Sequence, residues 1–304
     1  KIVFMGTSYF AVPILKSLYQ NGYPISVVYT QPPKKSNRGQ KLNKSPVNLF
    51  SENLSLEIRT PETLKNNNQE ELYLNKLEPD LILVVSYGQI IPKNLLNVPK
   101  YCFLNIHASL LPRWRGAAPI QRSIMNLDKE TGISIMKINE NLDEGPVYNK
   151  YSLKISEKIN SEELSEKLSL LAAEKILDVL DNIYNGNIKF IDQDHSKATY
   201  AKKIKKIEGK IDWNENANQI IGKINGLYPF PGAFFMFNGE RYKILKAEKS
   251  HINGTPGNVI SDDFEICCGE GSIKVLTIQR EGKRVQKISE FLLGSQIKKG
   301  TNIA

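Results

Sequence analysis

The sequence predicts an α/β chain in which a mostly parallel sheet is followed by a small β-barrel. Three observations predict it. Apolar, β-branched runs alternate with amphipathic stretches through residues 1–186. The texture then turns polar and basic, without sustained periodicity, over residues 187–206. Residues 207–304 carry short strands broken by turn dipeptides. The chain has 304 residues, of which 40% are hydrophobic and 24% charged, an ordinary globular balance long enough for two domains.

Runs 2–5, 25–29, 81–87 and 103–106 read as buried strands, and 12–20 and 70–77 as helices between them. That alternation implies crossovers to a parallel sheet covered on both faces. Residues 132–138 and 148–155 read as later strands. Ser161 is expected to cap a long helix, with Glu162 and Glu163 in its first turn. Leu164, Leu168, Leu171 and Ala172 recur at helical spacing along it, and Asn185-Gly186 supply the stop. Asn66-Asn67-Asn68 reads as a loop tip. Further on, Asn238-Gly239 separates Phe235-Met236-Phe237 from residues 241–245, and Gly269-Glu270-Gly271 separates 264–268 from 273–278. Such strands in series, with Asn-Gly at a hairpin, suggest a barrel.

Several function classes are disfavoured. The run 81–91 is too short to span a bilayer, which takes about 20 residues. The opening run Lys1–Gly6 is strand-like and lacks the small-residue cleavage site of a secretion signal. Three cysteines, two of them adjacent at Cys267 and Cys268, support neither a disulfide framework nor a thiolate metal site. A reduced, cytoplasmic setting is expected. The first predicted strand ends at Gly6-Thr7-Ser8, without the glycine pattern that lets a backbone approach a pyrophosphate, and the chain has no Gly-Lys-Ser/Thr loop. A nicotinamide or ATP enzyme is therefore disfavoured.

The net charge is +9, unevenly distributed. No Asp or Glu occurs before Glu52, and one polar loop there carries Lys34, Lys35, Arg38, Lys41 and Lys44. Lys202, Lys203, Lys205 and Lys206 form a second cluster. On charge alone these read either as solvated surface, slightly favoured, or as two sites of attraction for a polyanion.

The chemistry concentrates in Asn105-Ile106-His107-Ala108-Ser109-Leu110-Leu111-Pro112. Asn105 and His107 are two apart at the end of a strand, so they share a face at the carboxyl edge where open α/β sheets bind ligands. An amide beside an imidazole suits acyl transfer: the amide binds a developing oxyanion, and the imidazole stabilises it or shuttles protons. The same residues also fit a satisfied core histidine and a plain strand end. Asp143, in Asn141-Leu142-Asp143-Glu144-Gly145-Pro146, fits an imidazole-orienting carboxylate or a turn residue. Trp114, between Arg113 and Arg115, reads as loop cover, and His195 and His251 as exposed and incidental.

Residues 105–120, Asn-Ile-His-Ala-Ser-Leu-Leu-Pro-Arg-Trp-Arg-Gly-Ala-Ala-Pro-Ile, resemble the signature of the methionyl-tRNA formyltransferase family. The likeness continues at Arg38-Gly39, Ser45-Pro46-Val47, Tyr87-Gly88-Gln89-Ile90-Ile91-Pro92 and Leu142-Asp143-Glu144-Gly145. It runs on through Ile211-Asp212-Trp213 and Tyr228-Pro229-Phe230-Pro231-Gly232-Ala233, and so covers nearly the whole chain in order. The resemblance implies a Rossmann-like formyltransferase fold with a C-terminal OB-like barrel. It assigns catalysis and folate binding to residues 1–186, a linker to 187–206 and tRNA binding to 207–304.

By the same resemblance Asn105, His107 and Asp143 are catalytic, and Ser109, Leu110, Leu111 and Pro112 line the reduced-folate site. Arg38 enters near the acceptor end of the tRNA, with Lys41 and Lys44 as further contacts. The implied donor is 10-formyltetrahydrofolate, the implied acceptor is initiator methionyl-tRNA, and neither a metal nor a membrane is implied. A monomer is the default expectation. A formyl-folate enzyme acting on a small amine, or hydrolysing the formyl group, shares the trio but leaves the basic loop and second domain unexplained. A non-catalytic RNA-binding module leaves the trio unexplained.

Overall fold

A computed structural model of the chain describes residues 1–36 and 41–304, with the side chains of Lys35, Ser36 and Lys41 left undescribed. It divides into two compact units. One comprises Lys1–Gly116, Gly132–Leu153 and Ser165–Tyr200; the other comprises Ala117–Thr131, Lys154–Leu164 and Ala201–Ala304.

In chain order the first elements are β1 (Ile2–Gly6), α1 (Val12–Gln20), β2 (Ile25–Tyr29), β3 (Lys34–Ser36), β4 (Lys41–Asn43), α2 (Pro46–Asn53), β5 (Ile58–Arg59) and α3 (Asn68–Leu77). They are followed by β6 (Leu81–Val85), β7 (Cys102–His107), β8 (Arg115–Gly116), α4 (Pro119–Met125), β9 (Glu130–Lys137), β10 (Val147–Lys154) and α5 (Ser161–Tyr184). The remainder are β11 (Tyr200–Ala201), α6 (Ala217–Gly226), β12 (Ala233–Phe237), β13 (Glu240–Ser250), β14 (Glu265–Cys267), β15 (Ser272–Arg280), β16 (Gln286–Lys287) and α7 (Ile288–Gly294). Among the described residues no helix is long and apolar enough to cross a membrane.

The main sheet has the order β10-β9-β7-β6-β1-β2-β5. The pairs β5–β2, β2–β1, β1–β6 and β6–β7 are parallel, and β9 joins β7 antiparallel. β1 and β6, Ile-Val-Phe-Met-Gly and Leu-Ile-Leu-Val-Val, are buried along their whole length, as strands covered on both faces must be. α2 and α3 begin where polar side chains satisfy free backbone N–H groups. Ser45 accepts from the Asn48 amide at 3.0 Å ahead of Pro46, and Asn67 accepts from the Glu70 amide at 3.2 Å. The expected loop tip 66–68 thus contains the cap of α3.

α5 is capped by Asn160 rather than Ser161. Asn160 accepts from the Glu163 amide at 2.9 Å, and Glu163 returns a bond to the Asn160 amide at 3.2 Å, a reciprocal box. Ser161 instead donates to the Tyr228 carbonyl.

The second unit contains an antiparallel sheet in the order β12-β13-β15-β14, with β16 added to β15. Asn238 and Gly239 both take positive φ, 49° and 76°, at the β12–β13 hairpin, the backbone that an Asn-Gly turn favours. Phe235 stacks on Tyr242 at 5.4 Å, and Phe264 and Tyr242 both meet Phe291 edge-on, in a core that also holds Trp213 and Ile244. The antiparallel strand-rich domain is as the sequence predicts. Its closure is not: among the described residues the strand ladders run open from β12 to β14, and elsewhere the pairing reduces to isolated bridges such as Val259 with Ile266.

Candidate active site

β7 ends between β6, where Val84 pairs with Asn105, and β9, where Ser134 pairs with His107. Asn105 is half-buried, and His107 is buried. Among the described residues nothing hydrogen-bonds the Asn105 side-chain amide, so its donors are left for a ligand.

After His107 the chain folds back tightly. The Ser109 hydroxyl donates to the Arg113 carbonyl at 2.6 Å. Ser134 donates to the Ser109 carbonyl at 2.7 Å and accepts from the Leu111 amide at 3.0 Å. This turn brings the Trp114 carbonyl to 2.9 Å from His107 Nε2. A carbonyl only accepts, so Nε2 carries the proton and Nδ1 is the nitrogen left for chemistry. Nδ1 lies 3.6 Å from Asp143 Oδ2, near it but too far for a hydrogen bond. Asp143 Oδ2 accepts from the Gly116 amide at 2.7 Å. Asp143 and Trp114 are both left-handed, with φ of 52° and 61°, strained conformations of the kind that gather at functional sites. Of the trio expected from the sequence, His107 and Asp143 are thus brought together at a strand's carboxyl edge, and Asn105 precedes His107 by two residues on the same strand.

Three residues that the sequence reading gave no role hold the Asp143 turn in place. Arg115 is 1% exposed; its Nη1 donates to Glu144 Oε1 at 3.0 Å. Its Nε and Nη2 donate to Gln193 Oε1 at 3.1 and 2.8 Å. Gln193 Nε2 donates in turn to the Asp143 and Gly145 carbonyls, at 2.8 and 2.7 Å. Gly145 sits so close to β9 that a Cβ there falls 1.8 Å from the Lys137 carbonyl oxygen. Arg115 lies inside the signature stretch, whereas nothing in a polar segment such as 187–206 marks Gln193 apart from its neighbours. His195, expected to be incidental, is exposed, yet its Nδ1 lies 3.4 Å from Nη1 and Nη2 of Arg115.

Of the four expected folate-lining residues, Ser109 and Leu111 are buried, and the Ser109 hydroxyl is already committed to the turn. Leu110 and Pro112 are the two with partly exposed side chains. After β1 and β2, Thr7 donates to the Tyr87 carbonyl at 2.7 Å, and Gln31 Nε2 donates to the carbonyls of Tyr87 and Gly88 at 3.1 and 2.8 Å. The ends of β1, β2 and β6 are thereby tied together. Arg38 lies outside the described residues. Lys41 sits on β4 opposite Ser36 of β3, and Lys44 pairs with Glu52. A separate depression lined by Asn21, Tyr23, Asp181 and Tyr184, at the opposite edge of the sheet, contains none of these residues. Among the described residues no group of three His, Cys, Asp or Glu is placed to hold a metal ion.

Residues 1–180, which hold this mostly parallel sheet with Asn105, His107 and Asp143 at its carboxyl edge, match the family model described as "Formyl transferase". Residues 203–296 match its partner, "Formyl transferase, C-terminal domain". Over 304 residues the chain is 62% identical to the methionyl-tRNA formyltransferase of Pelagibacter ubique, covering 100% of this chain and 98% of that one. It is 43% identical over 303 residues to that of Rickettsia africae, covering 99% of each. The chain belongs to the methionyl-tRNA formyltransferase family.

Among solved structures, an N-formyltransferase from Helicobacter canadensis, in complex with folinic acid and dTDP-3-aminofucose, superposes with a TM-score of 0.70 at 18% identity. The match covers 90% of this chain and 98% of that one. HypX from Aquifex aeolicus in complex with tetrahydrofolic acid gives 0.64 at 18% identity, over 98% of this chain and 48% of that one. At such identities the likeness is one of fold.

Proposed function

We propose that this chain transfers the formyl group of 10-formyltetrahydrofolate to the α-amine of methionine on initiator methionyl-tRNA, as a cytoplasmic monomer. The observation that carries the reading is the approach of His107 Nδ1 to within 3.6 Å of Asp143 Oδ2, at the end of the strand that carries Asn105. The division of labour follows the sequence: residues 1–186 bind folate and catalyse, 187–206 connect, and 207–304 engage the tRNA.

The uncharged amine attacks the formyl carbon, and the carbonyl π pair moves onto oxygen. Asn105 donates its free amide to that oxyanion. His107 stabilises it beside Asn105, its ring held by the Trp114 carbonyl at Nε2 and by Asp143 on the other side. The amine gives up a proton to Asp143 directly or through water, the C–N10 bond breaks, and N10 takes up that proton in turn, so that no net proton is consumed. The amine is itself a competent nucleophile, so no covalent enzyme intermediate is required. Leu110 and Pro112, with the backbone of Ser109 and Leu111, line the folate side. Arg38 and Lys41 contact the acceptor end; Lys44 does so on release from Glu52. The exposed Lys202, Lys203, Lys205 and Lys206 add positive charge.

The test is direct. Incubated with 10-formyltetrahydrofolate, the protein formylates initiator methionyl-tRNA, at a rate that falls log-linearly with added salt as tRNA binding weakens. A protein that formylates free amino sugars or water and leaves methionyl-tRNA untouched overturns the reading.

A further inference from the structure

We propose that Gln193 is a positioning residue for the transfer step, clamping the Asp143 turn against the segment that holds His107. The inference rests on the catalytic roles proposed above and adds a residue from the stretch between the two family matches.

Both ends of the Gln193 amide are occupied, and its buried partners leave one orientation. A guanidinium only donates, so Oε1 faces Arg115; the Asp143 and Gly145 carbonyls only accept, so Nε2 faces them. Glutamate in its place keeps the acceptor and loses the donor, and leucine loses both. The clamp matters because of what lies on either side of it. Residues 114–116 carry the Trp114 carbonyl bound to His107 and the Gly116 amide bound to Asp143. Residues 143–145 carry the Asp143 carboxylate itself, on a backbone of φ 52° that needs outside support. The separation of His107 Nδ1 from Asp143 Oδ2 is thus set by two loops that Gln193 and Arg115 bolt together. Gln193 itself has no bond left for substrate. It acts through Asp143.

The experiment compares Gln193→Leu, Gln193→Glu and Asp143→Asn in the full chain, by kcat and KM for methionyl-tRNA, the pH profile of kcat and thermal unfolding. Gln193→Leu and Gln193→Glu are expected to lower kcat by about 10- to 100-fold, the scale set by displacing a catalytic group by about an ångström. The KM for tRNA is expected to hold, and the pH profile to move because the spacing within the His–Asp pair has changed. Gln193→Glu keeps the Arg115 acceptor, so it gives the answer if the leucine variant fails to fold. A purely structural Gln193 gives variants with lower unfolding temperatures but unaltered kcat per folded molecule and an unmoved profile; that result overturns the proposal. If Asp143→Asn is inactive while both Gln193 variants turn over normally, only the positioning role falls. If Asp143→Asn is itself fully active, the catalytic reading falls with it.

Discussion

Arg59 and Arg115 each take a guanidinium below the surface of the same compact unit, and each meets a glutamate there. Arg59 reaches Glu70 through Nε at 2.7 Å and Nη2 at 2.9 Å, Tyr29 donates a third bond to that carboxylate at 2.7 Å, and the Tyr73 ring lies 3.9 Å from the guanidinium carbon. Burial pushes the Glu70 carboxyl up, but the bonds from Arg59 and Tyr29 outweigh it and hold the group below the usual carboxylate range. The same burial, with Glu70 beside it, drives the Tyr29 phenol well up. That network is closed on itself. Around Arg115 the bonds run instead to Gln193 and, through it, to the backbone of a turn, leaving His107 Nδ1 and the Asp143 carboxylate 3.6 Å apart without a bond between them, at the end of the strand that carries Asn105. A buried polar network that satisfies every member specifies structure, and one that holds unsatisfied groups in register is equipped for chemistry.

The comparison breaks most readily at its open end. Asn105→Ala is expected to lower kcat by about 10²–10³-fold, or ~3–4 kcal/mol of transition-state stabilisation. Its unfolding temperature should stay near that of the parent, because the amide makes no bond among the described residues. Steady-state formylation and a thermal melt on one preparation decide it; near-full turnover removes Asn105 from the mechanism. At the closed end the pattern reverses. Glu70→Gln takes the two-bond carboxylate from a largely buried Arg59, leaving it only Glu57 at 3.9 Å, and should cost about 3 kcal/mol of stability by denaturant titration, with kcat per folded molecule unchanged.

Gly145→Ala falls between the two. Its Cβ meets the Lys137 carbonyl oxygen at 1.8 Å, so the Asp143 turn must move off β9. A stability loss of about 1–3 kcal/mol is expected. It should be accompanied by a fall in kcat of about tenfold or more, because the displaced turn carries a catalytic carboxylate. An alanine variant with parental kcat shows that the turn's position is not critical and weakens the contrast between the networks.

The two networks differ in how far the sequence reveals them. The strands are legible because covered parallel strands must be apolar throughout, as β1 and β6 are. Asn105 and His107 are legible because alternation along a strand places them on one face. Helix starts are less so: Asn160 and Ser161 are both good caps, and only the fold shows Ser161 turned to the Tyr228 carbonyl. Gln193 carries no local signal, because its bonds reach 48 to 78 residues back along the chain. The open path of the C-terminal sheet is likewise a matter of long-range pairing, which turn dipeptides do not encode.

The smallest expected effect sharpens the comparison through pH. A carboxyl held below its unfolded value contributes stability that is complete above that value, 4.5 for a free glutamate, and is lost as pH falls through its lowered folded value. Glu70 therefore steepens the acid side of the stability profile. In Glu70→Gln that contribution is absent at every pH, so the gap from the parent is widest near neutrality and narrows as acid protonates Glu70 in the parent. Denaturant titrations from neutrality down into the acid range measure the narrowing. A gap that stays constant with pH assigns the loss to packing rather than to the charged bonds from Arg59 and Tyr29, and the closed network then owes its stability to shape.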